Sequence, residues 1–117
     1  MEIDSPECRK AVETCLRCYR ICIDMMASMC LEKGGEHAKP DHLRAMLTCA
    51  ELCRATAAVL LLKSRHHAEL CQECAEACDD CAESCAALDE MEDCVEVCRE
   101  CAEACRAMSR LHEARAA

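Results

Sequence analysis

From Leu70 to Cys85 the chain reads LCQECAEACDDCAESC, with cysteine at positions 71, 74, 78, 81 and 85. Steps of three and four residues keep side chains on one face of an α-helix, whereas a strand would need steps of two. A bundle helix ordinarily fills that inward face with leucine. Here the face is a row of thiols, so the fold must close around a core that is small, soft and reactive.

Start and stop signals divide the whole chain into similar segments. Ser5-Pro6 predicts a helix start and Gly34-Gly35 its end, giving helix 1 over about 6–33. Pro40-Asp41 opens helix 2, expected over about 40–64, with a weakly marked turn or a bend near Ser64. Helix 3 follows over about 65–87, and Asp89 with Glu92 resembles a capping box that starts helix 4, expected over about 90–113. Twenty alanines and no period-two alternation leave no strand signal. The expectation is an all-α fold, an antiparallel four-helix bundle with a cysteine-lined core, in one domain over residues 1–117.

The inward series repeats on every helix. It runs Cys8, Ala11, Cys15, Cys18, Cys22, Met25, Met29 on helix 1 and His42, Met46, Cys49, Cys53, Thr56, Leu60 on helix 2. On helix 3 it is His67, Cys71, Cys74, Cys78, Cys81, Cys85, Leu88, and on helix 4 Met91, Cys94, Cys98, Cys101, Cys105, Met108, His112. Fifteen of sixteen cysteines are in phase, and Cys30 is one residue out of register beside Met29. A single buried cysteine is ordinarily a small hydrophobe. Fifteen in phase, in a chain with one tyrosine and neither phenylalanine nor tryptophan, would leave the core underfilled unless something else occupies it.

Net charge of -9, from 23 acidic and 14 basic residues, argues against nucleic-acid and anionic-membrane partners and favours cations. The longest apolar run, AAVLLL at Ala57 to Leu62, is far short of the ~20 residues that span a bilayer. The opening MEIDSPECRK carries no hydrophobic secretion segment, so a cytoplasmic location is expected. In that compartment dense cysteine points to metal or redox chemistry rather than to a disulfide scaffold. Cysteines three or four apart on one helix also have Cβ atoms about 5 to 6 Å apart, beyond disulfide reach, although cross-helix disulfides stay open.

For metal the geometry is permissive. Two bonds of about 2.3 Å need sulfurs about 4.6 Å apart for a near-linear unit. The candidate pairs are Cys18/Cys22, Cys49/Cys53, Cys74/Cys78, Cys81/Cys85, Cys94/Cys98 and Cys101/Cys105, and a continuous stripe implies many ions in a row. Zn²⁺ held by four thiolates leaves two excess negative charges per site, costly in a stacked core, whereas Cu(I) sharing thiolates approaches neutrality. One end collects Met25, Met26, Met29, Cys30, His42, Met46 and Met91, with His37 in the adjacent loop. These soft or neutral ligands suit a mouth that takes Cu(I) and passes it to thiolates inside, so Cys85 should meet copper before Cys71. The other end has His67, Met108 and His112 beside an apolar Leu60 to Leu62 plug. Metallothionein-like sequestration of Zn(II) or another soft metal is the alternative. A thiol enzyme lacks a supporting βαβ or Cys/His/acid constellation, so no catalysis is expected.

The cysteine stripes on four helices, with ECAEAC at Glu73 to Cys78 and again at Glu100 to Cys105, resemble the bacterial copper storage proteins of the cytosolic branch. The resemblance extends over almost the whole chain. It implies a bundle usually assembled as a tetramer, many Cu(I) ions held by core thiolates and admission at one open end; copper ions and a copper chaperone are the expected partners. The chain departs from that pattern at Ala11, in the two-thiol helix 2, and in LDEMED at Leu88 to Asp93, where the family tends to carry histidines.

Overall fold

The computed structural model describes residues 5–116, with side chains as far as His112, so the ends of the expected domain at 1–4 and 117 lie outside the described residues. The first helix runs Pro6–Met25 and continues through a π-helical turn, Met26–Cys30, into a last α-turn, Leu31–Lys33. Ser5 caps its start, its hydroxyl accepting from the Cys8 amide at 3.1 Å, with proline pre-set in the first turn. Gly34 and Gly35 then take positive φ of 69° and 55°, which stops the helix and leads into a short 3₁₀ turn, Gly35–Ala38.

Lys39, held extended by the following proline, introduces the second helix, Pro40–Leu61. That helix ends three residues short of the expected 64. Lys63 adopts φ 59°, the Lys63 amide bonds the Leu60 carbonyl at 3.1 Å, and the Ser64 amide bonds the Val59 carbonyl at 3.2 Å. This is a Schellman stop built on lysine instead of glycine. It separates the second helix from the third, His67–Ala86, so there are two helices rather than a bend in one. The fourth, Glu92–Ala116, opens two residues later than expected, because Glu90 turns the chain at φ 63° and Asp89 belongs to the turn.

Each helix packs against its neighbours in chain order, and the fourth closes the square against the first. The result is an all-α antiparallel four-helix bundle with extents of 47 × 21 × 19 Å, and among the described residues no strand occurs. Buried Ala11, Ala50, Ala57, Ala75, Ala82 and Ala102 let the helices approach closely. Exposed ion pairs join neighbouring helices, Arg17 to Glu100 and Arg106 to Asp79, while Lys33 to Glu90, at 2.7 Å, ties the end of the first helix to the turn before the fourth.

All sixteen cysteines are buried, fifteen of them at 0% exposure. The largest fully enclosed side chains besides them are Met46, Leu60, Met91 and Thr56. Sulfur therefore takes the volume that branched aliphatic and aromatic groups occupy in an ordinary core.

Candidate metal centre

The cysteines are in the thiol form, and their sulfurs form a ladder along the bundle axis. Cys15 Sγ lies 3.6 Å from both Cys101 and Cys105. Cys53 touches Cys74 and Cys78 at 3.6 Å and Cys101 at 3.7 Å. Above them Cys49 meets Cys78 at 3.6 Å, and Cys18, Cys22 and Cys49 each approach Cys98 at 3.8 Å. The within-helix contacts Cys18/Cys22 at 4.0 Å and Cys81/Cys85 at 3.9 Å are longer. The shortest approaches thus cross between helices, which single-helix spacing could not reveal.

Three groups bring four sulfurs within 4.8 Å of one another: Cys15/Cys53/Cys74/Cys101, Cys18/Cys49/Cys53/Cys78 and Cys18/Cys22/Cys49/Cys98. They overlap through Cys18, Cys49 and Cys53, so an ion in one group shares ligands with the next. Cys71 lies beyond this ladder beside Cys105, Cys85 and Cys94 lie toward the other end, and Cys8 is buried near the start of the first helix.

Cys30 occupies a place that regular helix geometry denies it. Eight residues beyond Cys22, an α-helix would turn it about 80° off the stripe, but the π-turn at Met26–Cys30 inserts one residue and restores phase. Cys30 is consequently 0% exposed, and the expected inward position of Met29 moves to the half-buried rim with Met25 and Met26. Around Cys30 Sγ stand His42 Nε2 at 3.4 Å, Met46 Sδ at 3.7 Å and Met91 Sδ at 3.8 Å. Ser84, which sequence pattern did not single out, holds His42 Nδ1 at 2.7 Å. Burial, with the nearby His37, lowers the His42 pKa and favours neutral imidazole. The His37 Nε2 hydrogen donates to the Asp89 carbonyl at 2.8 Å, closing the loop over this end.

The thiols influence one another. The S–H groups of Cys22, Cys85 and Cys98 draw the Cys81 thiol down to about 6, and those of Cys105 and Cys15 draw Cys101 down to about 7. Burial pushes the Cys30 thiol up, helped by the charges of Cys94 and Cys81. Neighbouring thiols therefore favour ionisation at some sulfurs and oppose it at others, and an incoming cation would replace the proton at each.

The chain matches the copper storage protein family profile over residues 4–110. No curated protein matches it. Among solved structures it is similar to the Nmul_A1745 protein of Nitrosospira multiformis, at 48% identity and TM-score 0.86, over 88% of this chain and 94% of that one. It is also similar to the Cu(I)-bound copper storage protein BsCsp3, at 28% identity and TM-score 0.80, over 88% of this chain and 98% of that one. A third similarity is to the apo copper storage protein 3 of Bacillus subtilis, at 26% identity and TM-score 0.71, over 85% of this chain and 95% of that one.

Proposed function

The chain belongs to the copper storage protein family, and from that premise we propose how this particular bundle takes up and holds its Cu(I). It stores multiple Cu(I) ions in a cysteine-lined core. The observation that carries this reading is the overlap of four-thiol groups through Cys18, Cys49 and Cys53. Those three groups together contain nine different cysteines. Filled by three divalent ions, nine thiolates would leave three excess negative charges in a buried core, whereas monovalent ions at about one per thiolate leave none. Soft thiolates also select Cu(I).

All sixteen cysteines act as ligands in this reading. Met25, Met29, His42, Met46 and Met91, grouped around Cys30, form the admitting end. Support comes from the neutral donor set at Cys30 and from an exposed rim in which Glu36, Asp41, Glu83, Asp89, Glu90 and Asp93 outnumber the Lys39, Arg44 and Lys33 paired to three of them, a net acidic surface that raises the local concentration of a cation. A reducing, cytoplasmic compartment suits a core that functions only as thiol. Among the described residues no helix is long and apolar enough to cross a membrane. Exposed Leu16, Leu31, Leu47, Leu61 and Leu62 suit assembly into a homo-oligomer, a tetramer in this proposal, with a copper chaperone delivering or receiving the ion. No catalytic role is assigned.

Titrating the reduced protein with Cu(I) against a strong competing chelator tests the reading. Saturation near one ion per thiol is expected, and saturation at one or two equivalents would sink storage.

A further inference from the structure

The end of the bundle remote from Cys30 carries a second set of metal-binding side chains that the storage ladder does not use. His67 opens the third helix and is 4% exposed. Its Nδ1 donates to the Ser64 carbonyl at 2.9 Å, which fixes the ring and leaves Nε2 with its lone pair. His112, exposed on the fourth helix, meets it edge to face with ring centroids 5.1 Å apart. Metal–nitrogen bonds of about 2.0 Å set two nitrogens about 4 Å apart in a near-linear site. The rings are already in edge-to-face contact, and the solvent-facing His112 is the one that would turn to bring its nitrogen toward His67.

Both histidines lead inward. Cys71 lies one turn along from His67 on the same face, and Met108, 2% exposed, lies one turn before His112. Cys71 in turn contacts Cys105, which touches Cys15 at 3.6 Å. Soft donors therefore continue from the ladder to this end. The exposed charges here are mixed, Lys10, Lys63, Arg65 and Arg110 standing among Glu7, Glu69, Glu76 and Glu103 with Arg106 paired to Asp79, whereas acidic side chains predominate at the other end. A mixed collar attracts an arriving cation less than the acidic rim does, which suits an end where copper departs.

We infer that His67 and His112 form a bis-imidazole Cu(I) site through which copper leaves the store. The inference rests on the storage reading. As two neutral donors, the imidazoles bind Cu(I) more weakly than the thiolates, so this site fills last and empties first.

The test uses the full chain, reduced and loaded stepwise with Cu(I), with ¹⁵N-detected histidine resonances and release to the anionic chelator bathocuproine disulfonate as readouts. The His67 and His112 Nε2 resonances should move only in the last equivalent of loading. His112→Ala, at an exposed position, should lower capacity by one ion and slow release several-fold, with His112→Gln as a second variant and the thermal midpoint as the folding control. Unmoved histidine resonances at saturation, or release from both variants at the parental rate, would overturn the inference while leaving storage intact. Saturation of the parent chain at one or two ions would instead mark failure of the storage reading itself.

Discussion

Cys30 Sγ stands 3.4 Å from Nε2 of His42, on the neighbouring helix, because a π-turn carries a cysteine that is out of step in the sequence back onto the inward face. With Met46 and Met91 within 3.8 Å, this sulfur is surrounded by donors that hold Cu(I) without releasing a proton. In the reading proposed above, thiolates deeper in the core bind more tightly, so the end cluster would govern rate and the ladder amount.

Replacing Met46 and Met91 together by leucine removes two thioethers at nearly constant volume. Stopped-flow uptake of Cu(I) should slow several-fold, and final capacity should fall by no more than the ions at that end. Equal slowing of uptake from Met108→Leu would move the admitting end to the other side.

Cys53 belongs to two of the overlapping four-thiol groups, whereas Cys8 belongs to none of the three. Cys53→Ala should therefore cost about two ions of capacity, from its membership of two groups, and Cys8→Ala at most one. Native mass spectrometry of copper-saturated protein reads both. Equal losses would show that the groups fill independently of their shared corner.

Copper binding and apo stability should respond to pH in opposite ways. Each thiol that exchanges its proton for Cu(I) makes apparent affinity fall as pH falls. In the metal-free protein, burial holds Cys30 above its unfolded value, and Cys94 is pushed up to about 12, the Cys85 contact and burial outweighing a pull from Cys22. A raised thiol contributes stability that is complete below the unfolded pKa and is lost as pH rises toward the folded one. Lowered thiols such as Cys81 and Cys101 act the opposite way, but ten cysteines are raised against five lowered, so the reduced apo protein should melt at lower temperature at pH 10.5 than at pH 8. An unchanged or higher midpoint at pH 10.5 would contradict that assignment.

Lys63→Gly relieves a left-handed backbone that costs a residue with a Cβ roughly 1 to 2 kcal/mol. After the greater freedom of glycine in the unfolded chain is subtracted, a gain of about 0.5 to 1 kcal/mol and a rise of a few degrees in the apo thermal midpoint are expected. A lowered midpoint would show that the lysine side chain matters more than its backbone.

The helices and the thiol stripe were legible in the sequence because three-and-four spacing has one structural solution, and Ser5, Pro6, Gly34 and Pro40 mark helix ends by their backbone chemistry. The stop at Lys63 was not legible, since lysine carries no turn signal and adopts φ 59° there under tertiary constraint. Cys30 was misplaced for a related reason: a π-turn leaves no compositional mark in MASMC, so regular periodicity pointed Met29 inward instead. The close sulfur pairs were also hidden. Cys53 meets Cys74 and Cys78 only because two helices pack, and no spacing along either helix records that meeting. Ser84 gave no sign of its bond to His42 for the same reason.

The sharing of Cys53 between two groups has a further consequence for how the cargo travels. Discrete compartments would require an ion to escape to water before it could change place. In the proposed store, a row with common corners would instead behave like a crystal lattice with vacancies: when one position empties, its neighbour would slide over by breaking one metal–sulfur bond and keeping another. Transport along the axis then needs no water and no opening of the bundle, and its speed depends on how many positions stand empty. A nearly full store should be sluggish inside, and a half-full one mobile.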